Sequence, residues 1–405
     1  MARSRKNFGL VMVFLGYKGR IHRGKFTARS IRYILTDQAA RLFPALRRRW
    51  LLPVESQPIA EAASADIPFP SIVIDTPTPA CFAKLGIVHP RPVQQTHNVY
   101  FIEDVTVTGW AGAMIKNDLL LTTRPQHNWV SGLRARPHRI RKLSASQPYF
   151  NLMVPIPARG HIFHWLFDSI LPFISFLESG ESPGKPGLLV NAAQSEIQKL
   201  TIGFLKHRYW ITAIEAISER EAVQVPHLQA AIPTYNCPRG LQSPLGLAVI
   251  EELGRFIAGE VSSGEGPKRI YISRHDAKLR RVQNEEELIP ELTARGFERL
   301  TLAGMPLSQQ VTLFLNAEAV VGPHGAAFAH VAWCRPGTKV IEFLPSPERG
   351  RRKTRPLANS DFWFVALQRN LSHSCYVAGQ VEGGSDGFAI PKSLLMDALD
   401  EAGLR

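Results

Sequence analysis

Cysteine is scarce, four in 405 residues. Cys81, Cys237, Cys334 and Cys375 lie far apart with no C-x-x-C pair. They predict neither a zinc site nor a disulfide framework and read as buried small hydrophobes. Long apolar runs are missing too: no stretch approaches the roughly 18 consecutive apolar residues that cross a bilayer. Phe8–Tyr17 has the length of a signal-peptide core, but Lys18, Gly19 and Arg20 follow where a small-residue cleavage site belongs. The expectation is a cytoplasmic catalytic body.

Negative charge is nearly absent from the first fifty residues, which hold thirteen Lys or Arg against the single acid Asp37. This arm carries most of the formal net charge of +14, because the remainder has 35 basic and 33 acidic residues. A basic arm on a nearly neutral body suits an anionic membrane surface, where each Lys or Arg contributes about 1 kcal/mol. Ile31, Leu35, Leu42 and Leu46 share one helical face, with Arg29, Arg32, Arg41, Arg47 and Arg49 to flank them, the pattern of an interfacial helix. A solvated tail is the alternative. Nucleic acid would accept the same arm, but the neutral body carries no such signal and no nucleic-acid partner is expected.

The 45% hydrophobic and 20% charged content is that of a globular chain long enough for about two domains. A Pro-, Ala- and Ser-rich stretch, Pro58 to Pro79, reads as a lead-in. Val99–Ile102, Val105–Thr108 and Leu119–Thr122 read as a small β-meander. His161–Leu177 has helical periodicity, Gly187–Val190 is a short apolar run, and Ser195–His207 is helical, a βα alternation that implies a parallel sheet. Pro226, Pro233 and Pro238 punctuate the chain, Leu247–Ile257 reads as a connecting helix, and Ser262–Pro267 as an interdomain joint. Beyond it come strand Arg269–Ser273, helix Asn284–Arg295 with Asn284 as N-cap and Pro290 expected to kink or shorten it, helix Leu307–Asn316, strand Ala319–Val321, helix Ala326–Trp333 and strand Lys339–Phe343. The predicted division is a partly helical arm, 1–60, and two units, 61–245 and 246–405.

Two constellations carry chemistry. In the first, a Gly-Pro-His-Gly-Ala loop follows a buried strand. Gly322 and Gly325 leave room for a ligand to approach the backbone, His324 adds a donor, and the helix from Ala326 points its free N–H groups at a diphosphate. Glu342 ends the next strand and is placed to accept from ribose hydroxyls. Ser273 and Arg274 end strand RIYIS, and Arg280, Arg281 and Asn284 crowd the mouth of the following helix. Cations there oppose the helix dipole, which favours an anionic ligand, and guanidinium forks neutralise phosphate without a metal. In the second, His161, His164 and Asp168 are three and four residues apart on one helical face. Such a face does acid/base work, with Asp168 either the base or the orienter of His164, or it holds a metal as a two-His, one-carboxylate set.

Three blocks, His164–Pro172, Ile272–Glu285 and Val321–Phe343, together resemble glycosyltransferase family 61, which includes plant wall xylosyl- and arabinosyltransferases and bacterial proteins labelled capsular polysaccharide biosynthesis. The resemblance implies a GT-B-like α/β fold, two Rossmann-like domains facing a central cleft. It implies a nucleoside-diphosphate sugar donor, UDP-linked, a hydroxyl acceptor such as a glycan, inversion at the anomeric carbon, no cofactor and no required divalent metal. It carries Ser273, Arg274, Arg281, His324, Gly325 and Glu342 over to the diphosphate and His164 and Asp168 to the acceptor. The chain departs from the family pattern after Gly-Ala-Ala, where Phe328, Ala329 and His330 stand. The competing readings are a metal-dependent hydrolase or oxygenase using His161, His164 and Asp168, and a non-catalytic basic binding module. The expected location is the cytoplasm, with peripheral contact to the inner membrane face through residues 1–50.

Overall fold

The computed structural model describes residues 57–58, 97–109, 112, 114–116, 119–121, 139–154, 160–180, 182, 184–219, 221–233, 244–259, 266–277, 280–345, 361–380 and 387–405. The basic arm, nearly all of the proline-rich lead-in, Cys81, Cys237 and Pro238 lie outside them.

The first sheet is mixed. Its described strands are β1 (Gln57–Pro58), β2 (His97–Thr108), β3 (Met114–Lys116), β4 (Leu119–Leu121), β5 (Arg139–Lys142), β6 (Tyr149–Asn151), β7 (Gly187–Asn191), β8 (Ile214–Ile217) and β9 (Glu221–Pro233). The order is β4-β3-β2-β9-β6-β7-β8, with β1 on β2 and β5 on β9. The stretch from β9 through β6 and β7 to β8 is parallel, and the meander side is antiparallel. Two strands expected within 99–108 are one. The break between them is a kink at Asp104, φ 47°, between the pairs Glu103↔His227 and Val105↔Val225. Pro226 faces that gap. A proline cannot donate to the ladder and is tolerated in a central strand only at such an irregularity, and Asp accepts the left-handed conformation more readily than most residues. Pro226 and Pro233 therefore lie within a strand rather than punctuating the chain.

Where one helix was expected over 161–177, the chain forms α1 (Ile162–Trp165), a π-helical turn (Leu166–Ile170) and α2 (Leu171–Glu178). Helix α3 (Glu196–Tyr209) opens on a capping box, with the Ser195 N–H donating to Oε1 of Gln198 at 3.0 Å. Helix α4 (Pro244–Ala258) follows.

The second sheet comprises β10 (Arg269–Ile272), β11 (Phe297–Leu300), β12 (Ala319–Pro323), β13 (Lys339–Pro345), β14 (Ser372–Gln380) and β15 (Phe388–Ala389), in the order β11-β10-β12-β13-β14-β15. All but β15 are parallel. Its helices are α5 (Glu285–Ala294), α6 (Leu307–Asn316), a 3-10 helix (Ala326–Trp333), α7 (Asp361–Gln368) and α8 (Lys392–Glu401). Helix α5 runs through Pro290, so the expected shortening does not occur, and the Asn284 side chain makes no cap hydrogen bond. Because β11 lies on one side of β10 and β12 on the other, the chain reverses its winding between β10 and β12. Their carboxyl ends frame the crevice where open α/β sheets bind ligands.

Helix α4 joins the two sheets. The Trp333 ring packs on Gly254, where a Cβ would stand 2.4 Å from its Cδ1, and the indole N–H donates to the Ile250 carbonyl at 3.0 Å. Arg369 pairs with Glu251, and the carboxylate of Glu196 on α3 accepts the N–H of Leu307 at 3.2 Å, closing the start of α6 from the other sheet. One continuous apolar cluster contains Phe150, Leu188 and Ile250 together with Ile272, Val320 and Phe328.

Candidate functional site

The loop at the switch point is held by close approaches within the protein. Strand β12 is buried along its whole length, as a run of small and branched apolar residues in a parallel sheet should be. A Cβ at Gly322 would stand 2.8 Å from the carbonyl oxygen of Ile272 on β10. A Cβ at Gly325 would stand 2.0 Å from Nη1 of Arg274. The two spaces that the sequence suggested a ligand would use are thus filled by a strand backbone and a guanidinium. Ala326 begins a 3-10 helix where an α-helix was expected, and the Phe328 N–H donates to the Gly325 carbonyl at 3.0 Å.

Two arginines converge on this loop, and one is not the expected one. Arg274 follows β10, and burial lowers its pKa, only partly offset by Asp276. Arg280 has a φ of 57°, a left-handed conformation that costs a non-glycine residue about 1–2 kcal/mol. Burial lowers its pKa as well, as does the charge of Arg274, while Glu342 opposes both. Arg281 is exposed, and its carbonyl accepts the N–H of Phe388 at 2.9 Å. Asn284 and Ser273 are also turned to structural work. The Asn284 amide exchanges hydrogen bonds with the backbone of Ile390 at 2.9 and 3.0 Å. The buried Ser273 hydroxyl donates to Oε2 of Glu285 at 2.8 Å, in a network completed by Tyr271 and Arg299.

Beneath the loop lies a carboxylate between two imidazoles. Glu342, on β13, is 2% exposed. One oxygen accepts Nδ1–H of His324 and the other accepts Nε2–H of His373, on β14, at 3.1 Å. Burial opposes ionisation and is the largest single influence, yet the charges and hydrogen bonds of His324 and His373 outweigh it and bring the Glu342 carboxyl down to about 2. The acid expected at a ribose therefore supports His324 from below. His373 had no motif to reveal it.

The second constellation forms a dyad. Nδ1 of His164 lies 2.6 Å from Oδ2 of Asp168, the carboxylate 8% exposed and the imidazole 34%. Asp168 belongs to the π turn, a local insertion that often marks a functional position. A carboxylate on Nδ1–H fixes the tautomer that leaves Nε2 of His164 as a proton acceptor. His161, at the head of α1, has its ring centroid 4.4 Å from that of His164, the two rings tilted by 39°. Among the described residues, no three His, Cys, Asp or Glu groups converge to hold a metal ion. Phe362 links the constellations: its ring lies 5.5 Å from Phe163, the neighbour of His164, and 5.5 Å from His324.

The structure therefore gathers Arg274, Arg280, His324, Gly325 and Glu342 at one end and His161, His164 and Asp168 at the other. It leaves Arg281, Asn284 and Ser273 aside. No curated protein matches the chain. The family model described as Glycosyltransferase 61 matches residues 162–341, from the first residue of the dyad helix to the strand beneath the loop; the match supports membership of that family, which indicates a glycosyltransferase with donor and acceptor substrates.

Proposed function

We propose that the chain is an inverting glycosyltransferase that takes a nucleoside-diphosphate sugar, UDP-linked, as donor and a glycan hydroxyl as acceptor. The observation that carries this reading is the pair Arg274 and Arg280 at the switch point. Burial disfavours both charges, and Arg274 disfavours that of Arg280. A bound diphosphate would offset those costs and meet guanidinium forks suited to its oxygens.

In this reading Nε2 of His164, oriented by Asp168, removes the acceptor hydroxyl proton. The oxygen attacks the anomeric carbon from the face opposite the nucleotide, and the bond to the diphosphate breaks as the new glycosidic bond forms. Arg274, Arg280 and His324 take up the charge on the leaving group, so no divalent metal is needed. The two sheets serve as donor and acceptor sides of a GT-B-like arrangement, with the break between residues 245 and 246. Resemblance to bacterial capsular polysaccharide proteins supports a cell-surface glycan acceptor. The basic residues of 1–50 support a cytoplasmic enzyme resting on the anionic inner membrane face.

The test is thermal unfolding of the protein with nucleoside diphosphates and sugar nucleotides, with and without chelator. Stabilisation by one nucleotide, insensitive to chelator and lost in Arg274→Ala and Arg280→Ala, is the expected result. Indifference of the wild-type protein to every nucleotide overturns the reading.

A further inference from the structure

His373 lies outside the family match and outside every motif of the sequence, yet it ends a chain of contacts that begins at the loop. Its Nε2 is 3.1 Å from Oε2 of Glu342, its side chain is 4% exposed, and its Nδ1 is buried with no hydrogen-bond partner. An ionised carboxylate only accepts hydrogen bonds, so each imidazole must present a proton to Glu342. His373 therefore carries its proton on Nε2 and His324 on Nδ1. In that tautomer a neutral His324 has a bare lone pair at Nε2, which would repel a phosphate oxygen. Only the doubly protonated ring donates in both directions.

We propose that His373, Glu342 and His324 form a buried relay in which His373 is a positioning residue. By donating to Glu342 it keeps that carboxylate anionic and fixed, so that His324 gains a second proton when a diphosphate binds and donates Nε2–H to it. The proton comes from solvent. The inference rests on the transferase reading. Among the described residues, the titratable and charged groups acting on Glu342 are His324, His373, Arg280 and the Cys375 thiol. Of these, His373 is the one that touches Glu342 from the side away from the loop. Without its proton one Glu342 oxygen is left dry and unpaired. The carboxyl then tends to protonate, and the countercharge for an imidazolium on His324 is gone.

The experiment is calorimetric titration of the full chain with UDP in two buffers of different ionisation enthalpy, which reports protons taken up, for the wild type, His373→Gln and His373→Phe. Glutamine keeps a donor near the position of Nε2; phenylalanine keeps the ring shape without one. The expected result is proton uptake with the wild type and with His373→Gln, and about tenfold weaker binding without uptake for His373→Phe. Equal affinity and equal uptake in all three proteins overturns the relay and leaves the transferase reading standing. No UDP binding by the wild type, with no response to any other nucleoside diphosphate, overturns both. Should His373→Phe not fold, 15N spectra of the histidines in the wild type decide: protons on Nδ1 of His324 and Nε2 of His373 are required, and either opposite tautomer overturns the relay.

Discussion

Nη1 of Arg274 lies 2.0 Å from where a Cβ on Gly325 would stand, so loop and guanidinium share one space. Gly325→Ala must push the guanidinium aside. Because it is the end of a flexible side chain, the fold should survive nearly unchanged while nucleoside diphosphate binding weakens. Gly322→Ala meets the Ile272 carbonyl at 2.8 Å instead. Backbone cannot step aside so cheaply, and a loss of about 1–3 kcal/mol is expected. Denaturant unfolding of both variants beside a UDP titration separates the two outcomes.

Arg280→Ala and Arg281→Ala should differ although the residues are neighbours. Removing the charge beside Arg274 should weaken UDP binding by about tenfold or more. Arg281 is exposed, and its replacement should change affinity by less than about threefold. Binding constants at one fixed ionic strength check this, and equal losses would return the role to Arg281.

For the dyad, His164→Ala should lower kcat by about 10²–10⁴ while leaving UDP affinity nearly intact, since a general base contributes in that range. Asp168→Asn should lower kcat in the same direction by disturbing the tautomer. Turnover with a saturating donor, read beside UDP binding, is the measurement; a fall in binding with unchanged kcat would count against a base at His164.

Acid should weaken the fold in two windows. His330 is buried against Phe314, with Nδ1–H on the Ala327 carbonyl, and burial brings its pKa down from 6.5 to about 4. The unfolded chain binds that proton first, so the stability owed to a neutral His330 is whole above pH 6.5 and is lost as pH falls toward about 4. Glu342 is depressed from 4.5 to about 2, so its contribution is present above pH 4.5 and lost below it. His330→Asn removes the upper window only. Chemical denaturation at about pH 7 and about pH 5 should show a smaller drop for this variant than for the wild type.

Much of the second sheet was legible because its signals are local. Ala319–Pro323 is a short apolar run ended by glycine and proline, and the helical periodicity of Leu307–Asn316 needs no tertiary context. Strand β11 was missed because Glu298 and Arg299 interrupt its apolar residues, and it qualifies as a strand only through its pairing with β10. The residues alone named Arg280 and Arg281 together, and only the resemblance singled out Arg281; the direction of the Arg280 side chain depends on one left-handed residue, which arginine does not announce. His373 and Phe362 reach the site only through sheet register and helix packing, over 30 or more residues of chain. The π turn at Asp168 has the same apolar pattern as the α-helix around it.

The apolar cluster that runs from Phe150 through Ile250 to Val320 has a thermodynamic meaning. Side chains from both sheets share one interior by way of α4, so neither sheet can be stripped of its partner without exposing core. Melting of one half should drag the other with it. A single calorimetric transition, with van't Hoff and calorimetric enthalpies in agreement, is what such an undivided interior demands.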